Sequence, residues 1–393
     1  MAQFPSGYTF PVLNSDGTFS TTQEDFADVF VRKELFLNSG LWSCGYNTNG
    51  QLGLSDVVHR SSPVQVGALT NWKQVSCGFY HTVSVKTDGT LWSVGNNNTG
   101  RLGLGDLVNR SSPVQVGLLT NWKQVACGGY HIASVKTDGT LWSVGYNTNG
   151  QLGLSDVVHR SSPVQVGLLT NWKQVACGQL HTVSVKTDGT LWSVGYNTNG
   201  QLGLSDLVHR SSPVQVGLLT NWKQVACGQL HTVSVKTDGT LWSVGQNTNG
   251  QLGLGTVVSR SSPVQVGSLT NWKQVACGAY HTVSVKTDGT LWSVGYNAQG
   301  QLGLGDVVNR SSPVQVGALT NWKQVACGYT HTVSVKTDGT LWSCGYNNTY
   351  GQLGLGDVVN RSSPVQVGLL TNWKQVSGGY YHTVAISSND LPD

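Results

Sequence analysis

The chain has 393 residues, a formal net charge of +4 and only 11% charged residues, against roughly 25% in an average soluble protein. So small an excess of charge excludes the strong field of a nucleic-acid binder or an anionic-membrane binder. No twenty-residue apolar run is present, so membrane insertion is not expected. The 14 Trp and the recurrent β-branched runs supply core material, so the 50 Gly mark tight turns and not a disordered tract.

Residues 1–40 stand apart in composition. They hold six of the seven Phe and both Glu, Glu24 and Glu34. MAQFPSGYTF does not look like a signal peptide, and MAQFPSGYTFPVLNSDG reads as extended and punctuated by Pro and Gly. TTQEDFADVFVRKEL predicts a short helix with a Thr cap, acids in the first turn, and Phe26, Val29 and Phe30 on one side. This segment is expected to be an arm that either straps the body of the protein or docks it to a larger assembly.

From residue 41 the chain copies itself every fifty residues. LWS begins at Leu41 and recurs to Leu341, and NWKQV begins at Asn71 and recurs to Asn372, seven times each. One residue is inserted, in YNNTYGQLG of the last copy. Each copy offers four β-type runs, first at Leu41–Gly45, Pro63–Val66, Trp72–Cys77 and His81–Lys86. Apolar and polar residues alternate in HTVSVKT and WKQVA, the two-residue period of a strand. TDGT reads as an Asp-Gly hairpin turn with positive φ expected at both central residues. Seven units of four strands, as regular at the end as at the start, predict an all-β, seven-bladed β-propeller over residues 41–393. Each blade is expected to take PVQV, WKQVA and HTVSV from one copy and LWS from the next. The N-terminal strand Leu41–Gly45 would then join the last blade and close the ring, leaving no exposed edge.

The candidate chemistry is repetitive. Cys77, Cys127, Cys177, Cys227, Cys277 and Cys327 lie one period apart, which predicts small buried hydrophobes and not a disulfide framework. Cys44 and Cys344 replace a Val of the other copies and are expected to be two free thiols. One His per copy, from His81 to His382, is expected to hydrogen-bond the backbone of its own blade. Seven such residues around a ring are too far apart to share a metal ion. Asp56 and Arg60 predict a loop-fixing ion pair, interrupted by Thr256 in one copy. His59 exchanges with Asn and Ser between copies, the mark of a polar surface position. Trp42 and Trp72 and their equivalents are expected in the core. GLGD lacks the Lys-Ser/Thr that completes a phosphate loop. With no singular acid, base or nucleophile, neither enzymatic activity nor a cofactor or metal is expected.

Individuality sits elsewhere. The pair before the ring His is Phe79–Tyr80, Gly129–Tyr130, Gln179–Leu180, Gln229–Leu230, Ala279–Tyr280, Tyr329–Thr330 or Tyr380–Tyr381. The residue after LWSVG or LWSCG also varies, being Tyr46, Asn96, Tyr146, Tyr196, Gln246, Tyr296 or Tyr346. Twelve of the thirteen Tyr fall at these places or at the inserted Tyr350. A packed position does not accept Gly and Phe in otherwise identical surroundings. These side chains are therefore expected on loops at one rim of the ring. Tyr46, Phe79, Tyr80, Tyr130, Tyr146, Gln179, Leu180, Gln229, Leu230, Tyr280, Tyr329, Tyr350, Tyr380 and Tyr381 are the expected binding residues. Tyr offers rigid amphipathic area suited to a protein or a glycan ligand.

The pattern VACGxxHTVSVKTDGTLWSVGxNxxGQLGLG, with SSPVQV, resembles the regulator of chromosome condensation repeat family over roughly residues 41–387. The resemblance implies a seven-bladed propeller. It leaves function open, because the family includes guanine-nucleotide exchange factors, plant ultraviolet sensors and β-lactamase inhibitors. The sensors hold Trp before the His, which no copy here does. The exchange factors carry loop insertions and a basic tail that this chain lacks, while the inhibitors bind through loop aromatics at the equivalent rim. EDFADVFVRKELFLNSGLWSCGYNTNGQLG resembles repeat proteins encoded by bacteriophages. That implies a virion component, a tail fibre or head appendage, held to other virion proteins by the arm. Two functions are thus expected: a non-enzymatic recognition propeller presenting a Tyr-rich rim or, alternatively, a cellular regulator binding a small GTPase as a guanine-nucleotide exchange factor.

Overall fold

The computed structural model describes residues 12–13, 19–20 and 40–388. The chain divides into two units, Met1–Asn38 and Ser39–Asp393. In the first, β1 (Val12–Leu13) pairs antiparallel with β2 (Phe19–Ser20). The helix expected around Phe26, Val29 and Phe30 lies outside the described residues.

The second unit is an all-β propeller of seven four-stranded antiparallel blades. Its first strands are β3 (Leu41–Gly45), β4 (Arg60–Gln65), β5 (Trp72–Cys77), β6 (His81–Lys86), β7 (Leu91–Gly95) and β8 (Arg110–Gln115). Blade 1 is β5-β6-β7-β8 from the axis outward, and blades 2 to 6 repeat it. Blade 7 joins Trp373–Gly378 and His382–Ser387 to β3 and β4, with Leu41 opposite Ile386 and Gly45 opposite His382. The ring closes where Trp373–Gly378 meets β5.

The expected blade boundary needs correction. The RSSPVQ strand pairs with the LWS strand of its own copy, Gly45 opposite Arg60 and Trp42 opposite Gln65. It is therefore the outermost strand of a blade and does not precede WKQVA within one. Two N-terminal strands, not one, complete blade 7. The loop after Gly45 carries the chain back along LWS, and the short run after Val66 passes to the next blade instead of turning within a sheet.

The TDGT turn also differs from expectation. Only Gly89 has positive φ, at 78°. Gly89 N–H donates to Lys86 O and Lys86 N–H to Thr90 O, each at 3.0 Å, a turn with a glycine bulge. The Asp88 carboxylate accepts from Thr90 N–H and Oγ1, and Thr90 Oγ1 accepts from Trp92 Nε1, so the turn is tied to the core.

The core lies between blades. A typical cluster joins Val183, Val185, Leu191 and Val216 of blade 3 to Trp222 and Val225 of blade 4. The two Trp of a blade meet edge to face, and in blades 1 to 6 a Lys ammonium lies over both rings, as Lys236 does over Trp222 and Trp242 at 4.8 and 3.6 Å. In blade 7, Ser387 replaces that Lys and accepts from Trp42 Nε1. The Gln of WKQV stitches neighbouring blades at the backbone, Gln124 donating to Val175 O and accepting from Val175 N–H, both at 3.0 Å. All eight Cys are free, and burial pushes the thiols of Cys44, Cys77 and Cys344 up to about 12.

Candidate functional site

Each loop between a blade's first and second strands is a short turn. Gly78 N–H donates to His81 O at 2.9 Å, and the other six loops repeat this bond. The His ring folds back onto the glycine: a Cβ on Gly78 would overlap His81 Cε1 and the carbonyl of Gly128. Both anchors are fixed inside, so the two residues between them project from the end of the blade.

The first residue of each pair faces the axis. Phe79, Gly129, Gln179, Gln229, Ala279, Tyr329 and Tyr380 surround the mouth of a channel of about 270 Å³ that runs between the inner strands. Tyr329 stacks on Tyr380 at 4.0 Å, and Phe79 meets Tyr380 at 4.8 Å and Tyr329 at 5.8 Å. Across the mouth Gln229 Nε2 donates to Gln179 Oε1 at 2.7 Å, and the Tyr329 hydroxyl donates to Gln229 Oε1 at 3.3 Å.

The second residues, including Tyr80, Tyr130, Tyr280 and Tyr381, form an outer tier with the residues after LWSVG or LWSCG. Tyr46 meets Tyr80 at 6.0 Å, Tyr130 meets Tyr146 at 5.9 Å and Tyr280 meets Tyr296 at 6.3 Å. The inserted Tyr350 bridges Tyr46 and Tyr381, at 4.8 and 5.2 Å. The result is one continuous aromatic network over blades 5, 6, 7, 1 and 2. Gln179, Leu180, Gln229 and Leu230 of blades 3 and 4 share that end of the ring but carry no aromatic ring, and among the described aromatic residues Tyr196 meets only His209, tilted at 4.8 Å. The expected free tips are in fact half-buried, because they cover one another. That burial raises the phenols of Tyr80, to about 12, and of Tyr329 and Tyr381.

The ring His is placed differently from expectation. Each is fully buried, and all but His81 bond the next blade, not their own backbone. His131 Nε2 meets Thr182 Oγ1 at 2.8 Å, and Thr182 Oγ1 donates to Gln151 O at 2.8 Å. Because the hydroxyl proton is directed to the carbonyl, the His carries its proton on Nε2. The relay repeats at six of the seven joints. Burial depresses His131, His181, His231, His281, His331 and His382 to about 3, so these rings are neutral.

The joint between blades 1 and 2 is the exception. Ile132 stands where the others have Thr, and both nitrogens of His81 lack a hydrogen-bond partner within the protein. At the same joint Arg101 replaces the Gln of the other copies. Reading the sequence for repeated features passed over it; comparison of the GQLGL segments, where this copy alone reads GRLGL, is the signal that finds it.

In the outer loops Asp56 pairs with Arg60, as do five equivalents, and Asp56 also accepts from Asn47 Nδ2 and Val58 N–H. His59 accepts from Asn47 N–H through Nδ1, and Asn109 and Ser259 offer an acceptor oxygen at the same place, which explains their exchange.

Comparison with known proteins agrees with this architecture. The family described as RCC1-like domain matches residues 124–391, more than half of the chain, and the regulator of chromosome condensation (RCC1) repeat matches 38–85 and 88–135. The chain belongs to the RCC1 repeat family. Among solved structures, human WBSCR16 superposes with a TM-score of 0.80 at 23% identity, over 89% of this chain and 99% of that one. Yeast RCC1 (Prp20), in a complex described as Kap60 bound to it, gives 0.80 at 22% identity, over 89% of both chains. Prp20p from Saccharomyces cerevisiae gives 0.78 at 21%, over 91% and 94%. At these identities the likeness concerns the fold. A search of curated proteins by sequence returns no match.

Proposed function

We propose that this chain is a non-enzymatic protein-binding propeller whose partner sits on the aromatic end. The observation that carries the reading is the continuous network from Tyr296 to Tyr146, two tiers of half-buried rings at one end of an otherwise uniform scaffold. Aromatic side chains dominate the energetics of protein interfaces because each buries a large area at small entropic cost. A protein partner is favoured over a glycan, because the relatives are described with protein partners: Kap60 for yeast RCC1, and Gsp1p and histones for Prp20p. The same relatives favour a regulator that binds a small GTPase as the particular form of this function. Nothing in the fold or the relatives supports a virion role, and the predicted helix of the arm that would serve as its anchor lies outside the described residues.

The test is to add the purified chain to a small GTPase loaded with a fluorescent guanine nucleotide. Accelerated release identifies an exchange factor, and binding without release identifies a recognition module for that class. The variant Tyr280→Ser/Tyr381→Ser is expected to weaken binding at least tenfold, since one interface aromatic contributes about 2 kcal/mol. Unchanged binding would move the interface away from this end.

A further inference from the structure

One joint departs from the buried polar pattern that the other six share. Between blades 1 and 2, Thr99 stands for Asn, Arg101 for Gln and Ile132 for Thr. At each of the other six joints the Gln carbonyl and the Thr hydroxyl complete the His relay. Here that relay is replaced by a buried cation.

Arg101 is 4% exposed. Its Nε donates to Thr99 Oγ1 at 3.2 Å, its guanidinium lies over the Tyr130 ring at 5.1 Å, and its Nη1 is buried without a partner. No carboxylate pairs with it among the described residues, whereas six other arginines of the loops at this end each hold an Asp. The groups around it are Tyr80, Tyr130, His81 and His131. Both His are depressed by burial and by Arg101 itself, so they are neutral near pH 7; the guanidinium, lowered only to about 10, stays charged. A buried charge left unpaired is strongly unfavourable, and the neutral solution is already present at every other joint.

We propose that Arg101 is the anchor for a single carboxylate, an Asp or Glu side chain of the protein partner, seated beside Tyr80 and Tyr130 at the aromatic end. The planar fork of the guanidinium matches a carboxylate. The site holds one positive charge and neutral neighbours, which suits a monoanion better than a doubly charged phosphate. Two tyrosines above it supply the apolar rim that excludes water and strengthens the pairing. The proposal deepens the function given above and rests on it only for the source of the carboxylate.

The experiment uses the full chain and the variant Arg101→Gln/Ile132→Thr, which gives this joint the Gln and Thr that form the relay at the others. The variant is expected to melt at or above the wild-type midpoint, so a loss of binding is not a loss of fold. The wild-type Arg101 Nε–H resonance is followed by NMR with acetate, with inorganic phosphate, and with the peptides acetyl-Gly-Glu-Gly-amide and acetyl-Gly-Gln-Gly-amide. A saturable shift is expected with acetate and the Glu peptide and not with the Gln peptide, and the Glu peptide should bind the variant at least tenfold more weakly. No saturable shift with acetate, or equal binding to both proteins, overturns the anchor. Tighter binding of phosphate than of acetate overturns the carboxylate assignment. These small probes need no partner, so a silent Arg101 leaves the aromatic-end reading standing. A responsive Arg101 with Tyr280→Ser/Tyr381→Ser inert toward the partner would instead sink that reading and, with it, the partner as source.

Discussion

The two ends of the propeller carry loops in equal measure and treat sequence in opposite ways. At the hairpin end TDGT is identical in six copies, because every residue is committed: Asp88 to Thr90, Thr90 to Trp92, and Gly89 to a conformation that disfavours a side chain. In the short loops before the ring His, at the other end, only the anchors are committed. Gly78 and His81 lock together inside the blade, and the residues between them vary from Gly to Phe and from Thr to Tyr. Variation is tolerated where a loop's geometry is fixed by groups other than its apex side chains. That separation lets a near-repetitive fold carry one non-repetitive surface.

The comparison can be broken most sharply at the anchor. Gly178→Ala places a methyl group against the His181 ring and the Gly228 carbonyl, and is expected to cost about 3 kcal/mol or more. Gln179→Ala, one residue on, is expected to stay within about 1 kcal/mol. Denaturant unfolding of the two variants measures the difference, and equal losses would show that apex and anchor are not independent.

For each ring His a smaller effect is expected from acid, about 2 kcal/mol between pH 6.5 and 5. The ring His have folded-state values depressed to about 3, below the unfolded value near 6.5. The unfolded chain therefore binds more protons in acid. Stability is full above about pH 7.5 and falls as pH drops from 6.5 toward 3, by roughly 1.4 kcal/mol per unit for each His. Thermal midpoints between pH 8 and 5 should be flat and then fall steeply. A profile flat to pH 4.5 would mean that the joints admit a proton without opening.

The smallest effect is expected in the outer loops. Asp156→Thr copies what blade 4 already has at Thr256, where Asn247 Nδ2 still donates to the carbonyls of Thr256 and Val258. Loss of the ion pair with Arg160 should cost under about 1 kcal/mol in thermal melting. A larger loss would make these pairs part of the scaffold and narrow the contrast between the ends.

Legibility followed distance along the chain. The strands, the LWS and NWKQV repeats, the turn at Gly89 and the placement of the variable pairs on loops were readable, because each depends on neighbours within a few residues. The blade boundary was misread because PVQV lies closer in sequence to WKQVA than to the LWS strand it pairs with. The half-burial of Tyr329 and Tyr380 was missed because their cover comes from Phe79 and from each other, on neighbouring blades. Arg101 was overlooked for a related reason: its meaning depends on Ile132, which removes the relay at the same joint.

By itself, the sequence determined seven units of four strands, their turns, and which two residues of each loop vary, since alternation and turn chemistry act locally along the backbone. Only the tertiary structure decided which strands share a blade, that six of the seven ring His bond a Thr of the next blade, and that Thr99, Arg101 and Ile132, three departures from the repeat, meet at one joint. Those partners belong to neighbouring blades, and closure of the ring is what brings them within hydrogen-bonding distance.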